Sequence, residues 1–198
     1  MTPLNSADTT TGQKELLRKQ ALASRDALPA AERQAAAEAI ARAFPIDVPR
    51  GAIVSGFMPM KSEINPLPLL KRLAADGAKL ALPVVAGRGN ALIMRSWEFG
   101  APLEPGAWDI RQPRSDAPEV DPDILIVPLA AFDRAGHRIG YGAGYYDLTI
   151  NRLRTIKPII AIGIAFAAQE IPRVPATERD ARLDLVLTER EIIDFRQA

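Results

Sequence analysis

The chain contains no cysteine among its 198 residues. This absence excludes disulfide bonds, thiolate zinc sites, iron–sulfur clusters and a cysteine nucleophile. A chain without disulfides is typical of a reducing compartment, so we expect a cytoplasmic protein. His137 is the only histidine, and one imidazole excludes metal sites that draw two or three histidines from one chain.

The chain also lacks an excess of one charge and a long apolar run. Its 25 basic and 24 acidic residues give a net charge of +1, whereas a protein that binds nucleic acid mainly by electrostatics carries a larger basic excess. The longest apolar run, Pro158 to Ala168, is far shorter than the roughly 20 residues of a membrane span. We therefore expect no nucleic-acid or membrane partner, and we expect a monomer.

The composition is that of an ordinary globular domain. Apolar residues make up 47% and charged residues 25% of the sequence, which excludes a wholly disordered chain. Residues 1–12 are polar and lack the apolar segment of an export signal. We predict a flexible tail over residues 1–12 and a single domain over residues 13–198.

Helical and strand patterns alternate along the domain. Two helices are predicted first, over residues 14–28 and 29–44, because Pro29 ends one and suits the first turn of the next. A third is predicted over residues 66–76 and ends at Gly77. Short apolar runs predict strands over residues 52–58, 80–85, 92–98, 124–127, 159–166 and 183–187. Residues 101–122 contain five prolines and predict a long ordered loop.

The last three strand segments are continuous apolar runs apart from Asp184, which is typical of strands covered on both faces in a parallel sheet. Strands that alternate with helices indicate an α/β fold. We predict a single α/β domain with a mostly parallel, mixed sheet flanked by helices, preceded by an N-terminal helical pair.

The most informative segment is FDRAGHRIGYGAGYYD, from Phe132 to Asp147. Three glycines stand at alternate positions: Gly140, Gly142 and Gly144. Such glycines let the backbone approach a ligand closely, and exposed N–H groups at a helix start bind phosphate oxygens. Arg138 could pair with the same phosphates, and Asp147 could hold a magnesium ion.

A plain turn between two elements would also explain the glycines. Neither the dinucleotide fingerprint nor the Gly-Lys pair of a P-loop is present.

A second set of candidates lies in the first predicted helix. Lys14, Arg18 and Arg25 fall within roughly 40° of one another at 3.6 residues per turn. Three aligned cations can bind an anion. A solvated helix face is the commoner explanation for such charges, and the pattern alone favours it.

Other candidates are single residues. Glu63 follows the first strand, where ligand crevices of open α/β sheets commonly lie, and it could accept hydrogen bonds from a donor-rich heterocycle or simply cap a helix. Asp184 begins a strand, as a functional carboxylate or as a strand-end cap. Trp97 and Trp108 are residue types that usually serve in packing, and we expect His137 at the surface.

Taken together, these segments resemble the 5-formyltetrahydrofolate cyclo-ligases, also called 5,10-methenyltetrahydrofolate synthetases. The resemblance runs from about Lys14 to Glu189 and depends on the order of several blocks. They are Lys14-Glu-Leu-Leu-Arg18, Met58-Pro-Met-Lys-Ser-Glu63, Gly136-His-Arg138-Ile-Gly-Tyr-Gly-Ala-Gly-Tyr-Tyr-Asp147, Ile162-Gly-Ile-Ala-Phe with Gln169, and Asp180 with Asp184.

The resemblance implies an ATP- and Mg²⁺-dependent enzyme. Family members close the ring of 5-formyltetrahydrofolate, a reduced folate, to give 5,10-methenyltetrahydrofolate, ADP and phosphate. Their proposed route phosphorylates the formyl oxygen, and N10 of the folate then attacks the activated carbon. Phosphate is a good leaving group, so positioning and fixed positive charge should dominate the catalysis.

The resemblance also implies site residues. ATP contacts are expected from Lys14, Arg18, Arg138, Ile139, Gly140, Tyr141, Gly142, Ala143, Gly144, Tyr145 and Tyr146. Folate contacts are expected from Met58, Glu63, Trp108, Tyr141, Gly142, Ala143, Gly144 and Tyr145. Asp147 and Asp184 are implied as magnesium ligands, and Arg138, Tyr145 and Asp147 as catalytic residues.

Three positions depart from the family pattern. Leu148 stands where arginine is frequent, Ala143 where glycine or lysine is usual, and Arg179 where histidine is common. These departures leave open a non-catalytic relative that binds reduced folate or a nucleotide and regulates or buffers it. A third hypothesis is a sugar-phosphate enzyme of similar architecture. It rests on fold analogy alone and does not explain the presence of Lys14 and Arg18.

Overall fold

The structure is a computed structural model, and it describes residues 6–196. It begins with the expected helical pair, α1 (Ser6–Asp26) and α2 (Ala30–Ala43), with Pro29 at the N-cap of α2. The expected tail is wrong over residues 6–12, which are helical, and residues 1–5 lie outside the described residues. Once a helix is nucleated each further residue adds a hydrogen bond, so α1 extends through this polar segment.

A seven-stranded sheet forms the centre of the molecule. Its strands are β1 (Ile53–Ser55), β2 (Lys79–Val84), β3 (Ile93–Trp97), β6 (Ile124–Pro128), β9 (Ile160–Ile164), β10 (Leu185–Leu187) and β11 (Ile192–Asp194). Their order across the sheet is β11-β10-β9-β6-β1-β2-β3. The four central pairings are parallel, whereas β3 and β11 pair antiparallel at the two edges. This arrangement confirms the predicted mixed, mostly parallel sheet.

Several short elements differ from the sequence expectation. The first strand is three residues long, because the chain leaves the sheet after Ser55. The predicted loop over residues 101–122 contains a small ribbon, β4 (Glu104–Pro105) with β5 (Arg111–Gln112), around a 3₁₀ turn. A hairpin of β7 (Ala131–Phe132) and β8 (Arg138–Ile139) follows β6. Elements of two or three residues are too short to show a hydrophobic period, which is why the sequence does not reveal them.

The core lies on both faces of the sheet, as the apolar strands require. Side chains of β6 alternate between the faces: Ile126 packs with α2 and with α3 (Leu67–Ala75), whereas Leu125 and Val127 pack beneath α4 (Tyr145–Ile156). Gly77 follows α3 with φ +101°, which confirms its place at the helix end. Within residues 6–196, no helix is long and apolar enough to cross a membrane.

The carboxyl ends of β1 and β6 position the candidate site. The loops that follow these neighbouring parallel strands emerge at the same edge of the sheet. Helix α1 packs over the β7–β8 hairpin through a small apolar cluster in which Ala21 contacts Ala131, Ile139 and Val174. One end of the sheet therefore gathers two loops and the first helix.

Candidate active site

The glycine loop, residues 140–144, joins β8 to the N-terminus of α4. Gly142 and Gly144 have φ values of +100° and +70°, a region that glycine enters without strain. Residues 141–144 are exposed, and Tyr145 begins α4 directly after them. The first N–H groups of a helix have no partner inside it, so this loop presents backbone donors as predicted.

Arg138 and Asp147 form an ion pair beneath the loop, in which Arg138 is buried and Asp147 is partly exposed. Arg138 is 5% exposed and donates to Oδ1 of Asp147 at 2.8 Å and to the carbonyl of Ala181 at 2.6 Å. The N–H of Ala181 donates to the same Oδ1 at 3.0 Å. Burial lowers the pKa of Arg138, although Asp147 opposes this shift. Oδ2 of Asp147 receives no hydrogen bond from residues 6–196, so it can accept a further ligand.

The three aligned cations of α1 all face this region. Lys14 Nζ lies 2.6 Å from a carboxylate oxygen of Asp180, Arg18 Nε donates to the Gly140 carbonyl at 2.7 Å, and Arg25 donates to the Tyr141 hydroxyl at 2.8 Å. The solvated-face interpretation is therefore wrong.

Asp180 is held in a polar setting. Burial raises its pKa, and hydrogen bonds from Lys14 and Thr177 outweigh that effect, so the pKa lies below its usual value. The carboxylate is therefore ionised at neutral pH. The residue after Asp180, Ala181, forms hydrogen bonds with both Arg138 and Asp147. Asp180 therefore stands beside the Arg138–Asp147 pair.

Asp184 does not join this group, which corrects the expectation that it pairs with Asp147. Its carboxylate accepts hydrogen bonds from Arg154 at 2.9 Å and from the Ala161 N–H at 2.7 Å. Asp147 lies in the first turn of α4 and Arg154 in the last, so roughly 10 Å of helix separates them. Asp184 acts as a strand-end cap at the amino edge of β9 and β10.

An apolar pocket of about 400 Å³ adjoins the glycine loop. The loop after β1, the β4–β5 ribbon and the start of α4 enclose it. Its wall includes the following expected residues: Met58, Glu63, Trp108, Arg138, Gly140, Tyr141, Ala143, Gly144, Tyr145, Tyr146 and Asp147. The structure therefore brings the expected folate-facing and ATP-facing residues to one place.

Two residues expected at the ligands have other surroundings. The Ile139 side chain is buried in the cluster beneath α1, so only its backbone could serve a ligand. Gly142 lies against Arg18, where an added Cβ would stand 3.7 Å from the guanidinium. It does not line the pocket.

Polar groups inside the pocket are few. Glu63 Oε2 accepts the Met60 N–H at 2.8 Å rather than capping α3, and burial raises the Glu63 pKa. The Tyr146 hydroxyl is buried without a partner among the described residues, and its burial raises the Tyr146 pKa. An unpaired buried hydroxyl is costly, so this wall favours a ligand that carries polar groups.

The two tryptophans have different roles. Trp97 is 7% exposed and packs in the core, as expected of that residue type. Trp108 is 66% exposed at the pocket rim, with its ring centroid 6.0 Å from that of Tyr145. Its φ of +54° lies in the left-handed region that side chains rarely adopt. The packing interpretation therefore holds for Trp97 and fails for Trp108.

The sequence signals Arg25 as one of the aligned cations and Asp180 as part of a family block, but it does not show which residues they contact. Asp180 meets Lys14 across 166 positions of the chain, and no local pattern encodes such a contact. For Arg25 the helical spacing with Lys14 and Arg18 is a signal, although it does not identify the partner.

Comparison with known proteins agrees with this geometry. The model of the 5-formyltetrahydrofolate cyclo-ligase family matches residues 10–189. The chain belongs to this family. The cyclo-ligase of Escherichia coli (strain K12) is 30% identical over 148 residues, which cover 72% of this chain and 80% of that one.

Two further relatives match this chain over almost its whole length and over almost the whole length of their own chains. The Mycolicibacterium smegmatis 5-formyltetrahydrofolate cyclo-ligase is 29% identical over 196 residues, or 92% of this chain and 97% of its own. The Aquifex aeolicus 5,10-methenyltetrahydrofolate synthetase structure superposes with a TM-score of 0.73 at 28% identity, covering 93% of this chain and 94% of its own. The resemblance inferred from sequence and the predicted fold class are thus confirmed.

Proposed function

We propose that this chain catalyses the ATP-dependent cyclisation of 5-formyltetrahydrofolate to 5,10-methenyltetrahydrofolate, with release of ADP and phosphate. The observation that carries the proposal is the shared wall of the site. The glycine loop and the Arg138–Asp147 pair border the same apolar pocket that contains Glu63. A triphosphate on the loop would therefore lie beside a heterocycle in the pocket.

The residues present fit a magnesium ion. Mg²⁺ in nucleotide sites is usually held by one or two carboxylates together with phosphate oxygens. Asp147 offers an unpaired oxygen, and Asp180 is the second carboxylate beside it. Asp184 lies away from this group, and its carboxylate accepts hydrogen bonds from Arg154 and the Ala161 N–H. When bound, the ion would neutralise phosphate charge.

The protein's own part is binding and charge compensation. Lys14, Arg18 and Arg138 would balance the phosphate oxygens, and the backbone donors of the glycine loop would hold them in place. Arg18 and Lys14 would exchange their present partners, Gly140 and Asp180, for phosphate.

The groups that react belong to ATP and the folate and not to the protein. The formyl oxygen attacks the terminal phosphorus, and ADP leaves. N10 attacks the activated formyl carbon, loses its proton, and phosphate departs with the former formyl oxygen. Glu63 would accept hydrogen bonds from the donor-rich edge of the pteridine, and Trp108 and Tyr145 would cover its rings. Holding the formyl oxygen against the terminal phosphorus would make this step effectively unimolecular, and holding N10 against the carbon would favour the ring closure.

The proposal is tested by following methenyl-folate absorbance with ATP and Mg²⁺ while ADP release is measured in parallel. We expect one ADP for each product. A folded protein that forms no product at high enzyme concentration would reject the proposal.

The same assay separates the non-catalytic alternative, which predicts saturable folate binding without ADP release. Two of the three departures from the family pattern lie outside the pocket wall, since Leu148 and Arg179 are exposed and do not line it. Ala143 lines the pocket without adding a charge. None of the three removes a carboxylate or one of the three signature glycines, Gly140, Gly142 and Gly144.

A further inference from the structure

A nearly buried arginine next to the pocket has no part in the proposed chemistry. Arg25 of α1 is 4% exposed. Its Nε donates to the Ser62 hydroxyl at 3.0 Å and its Nη1 to the Tyr141 hydroxyl at 2.8 Å. The nearest carboxylate, Asp26, lies 3.6 Å away with a side chain that is 60% exposed. A buried cation with only an exposed counterion is costly to maintain.

The hydrogen bond from Arg25 fixes the direction of the Tyr141 hydroxyl. A guanidinium has donors only, so the tyrosine oxygen must accept and its proton must point elsewhere. Tyr141 and Glu63 line the same pocket and interact electrostatically, so the Glu63 carboxylate is the acceptor towards which this proton can turn. The other contact of Glu63 is the Met60 N–H. A relay thus runs from α1 through the glycine loop to the carboxylate in the pocket.

We propose that Arg25 is a positioning residue that orients the Tyr141–Glu63 pair for the pteridine of the reduced folate. The inference rests on the proposed function. It gives α1 two separate tasks, because Lys14 and Arg18 face the phosphate side while Arg25 acts on the folate side. The residue touches neither ligand and works through Tyr141.

Electrostatics give the relay a second effect. Burial raises the Glu63 pKa, and Tyr141, Met60 and Arg25 oppose that rise. The groups that face Glu63 are Arg25 from α1, Tyr141 from the glycine loop and Tyr146 from α4. Arg25 is the one cation among these described groups. Its removal should raise the Glu63 pKa further, so that the carboxylate protonates, and folate binding weakens, at a higher pH.

The test measures the equilibrium dissociation constant of reduced folate by calorimetry without ATP, from pH 5 to 8. Arg25→Gln should weaken folate binding about tenfold, the loss of one charged hydrogen bond, and should move the acid limb to higher pH. The KM for ATP should stay within about twofold in turnover assays. Arg25→Lys should restore part of the affinity, because an ammonium still donates to Tyr141.

Arg33→Gln is the matched control, since Arg33 donates to the Leu28 carbonyl at the α1–α2 corner and does not line the pocket. It should leave the folate affinity and its pH profile unchanged. In a double-mutant cycle with Tyr141→Phe, the losses should be strongly non-additive. Should Arg25→Gln fail to fold, the intermediate affinity and smaller pH shift of Arg25→Lys decide the question.

Two results would overturn the inference. One is an unchanged folate affinity and pH profile in both Arg25 variants. The other is an equal weakening of ATP and folate, which would mean that α1 merely loosens. Both leave the proposed function standing when the wild-type protein still makes product. A wild-type protein that binds no reduced folate would instead remove the proposed function and this inference together.

Discussion

At the scale of single residues, the site depends on which carboxylates keep an oxygen free for a ligand. Asp147 uses one oxygen for Arg138 and Ala181 and keeps the other open among the described residues. Asp180 is bonded by Lys14, a flexible cation that phosphate can recruit. Asp184 is occupied by Arg154 and a backbone N–H. Three aspartates within one family pattern therefore have three different sets of contacts, which predict different roles.

Replacing Asp147 with asparagine should reduce turnover by about 10²–10³ because a preorganised charge at the phosphates is lost. Asparagine keeps the shape, and its side-chain oxygen can still accept from Arg138. We expect the variant to fold and to unfold cooperatively, with a free energy of unfolding lower by about 1–3 kcal/mol because the buried Arg138 loses its charged partner. Steady-state kcat at saturating ATP and Mg²⁺ measures the effect. A turnover within twofold of the wild type would show that Asp147 does not act in the reaction.

Asp180→Asn should change the magnesium dependence of the reaction, whereas Asp184→Asn should change the stability of the fold. Asp184→Asn should lower the free energy of unfolding by about 1–3 kcal/mol, since hydrogen bonds at a largely buried carboxylate are weakened, while the folded fraction keeps its turnover. Asp180→Asn should raise the Mg²⁺ concentration needed for half-maximal rate. Denaturant titration and magnesium dependence of the rate measure the pair. The reverse pattern would restore Asp184 as a metal ligand.

At the scale of elements, the ribbon β4–β5 and its turn form one wall of the pocket. Trp108 stands at this turn in a left-handed backbone conformation, exposed and close to Tyr145. Strain of this kind persists where the surrounding structure holds it and is common at ligand sites. The ribbon therefore presents an aromatic ring to the pocket mouth.

Tryptophan fluorescence should report folate binding through Trp108. Trp97 is buried in the core, away from the pocket wall, so quenching on addition of reduced folate should disappear in Trp108→Phe and survive in Trp97→Phe. Trp108→Ala should weaken folate binding about three- to tenfold, the contribution of one aromatic contact. Quenching that persists in Trp108→Phe would place the folate away from the ribbon.

At the scale of the whole molecule, the sheet brings segments from both ends of the chain to one edge. Helix α1, the loop after β1, the glycine loop and the segment around Asp180 meet at the carboxyl ends of the strands. A ligand that contacts all of them would bind the folded state and not the unfolded chain. Binding and global stability are therefore linked.

Mg²⁺–ATP should raise the melting temperature. At a ligand concentration about 100 times the dissociation constant the stabilisation is about 2.7 kcal/mol, which corresponds to roughly 5–10 °C for a domain of this size. A thermal-shift experiment measures it. ATP with a chelator, and Asp147→Asn with Mg²⁺–ATP, should both give a much smaller shift. Equal shifts in all three samples would argue against a metal ligated by Asp147.

Features that repeat along the chain could be predicted from the sequence, and contacts between distant segments could not. The apolar runs indicated the central strands, and Pro29 and Gly77 marked helix limits, because these signals are local. The segment from Arg138 to Asp147 indicated a phosphate site through its glycines and its charges. The sequence did not show that Asp180, and not Asp184, lies near Asp147. Both aspartates stand close to the start of the same strand, and only the fold decides which of them faces the first turn of α4.

The contact between Lys14 and Asp180 closes the site across 166 positions of the chain. During synthesis Lys14 leaves the ribosome well before Asp180, so their contact must wait until 166 further residues have been translated. Nucleotide can therefore assist only the last stage of folding, after the C-terminal strands have docked. A message that is cut short after the codon of Asp147 but before that of Asp180 would yield a chain that carries the glycine loop yet lacks the carboxylate that contacts α1.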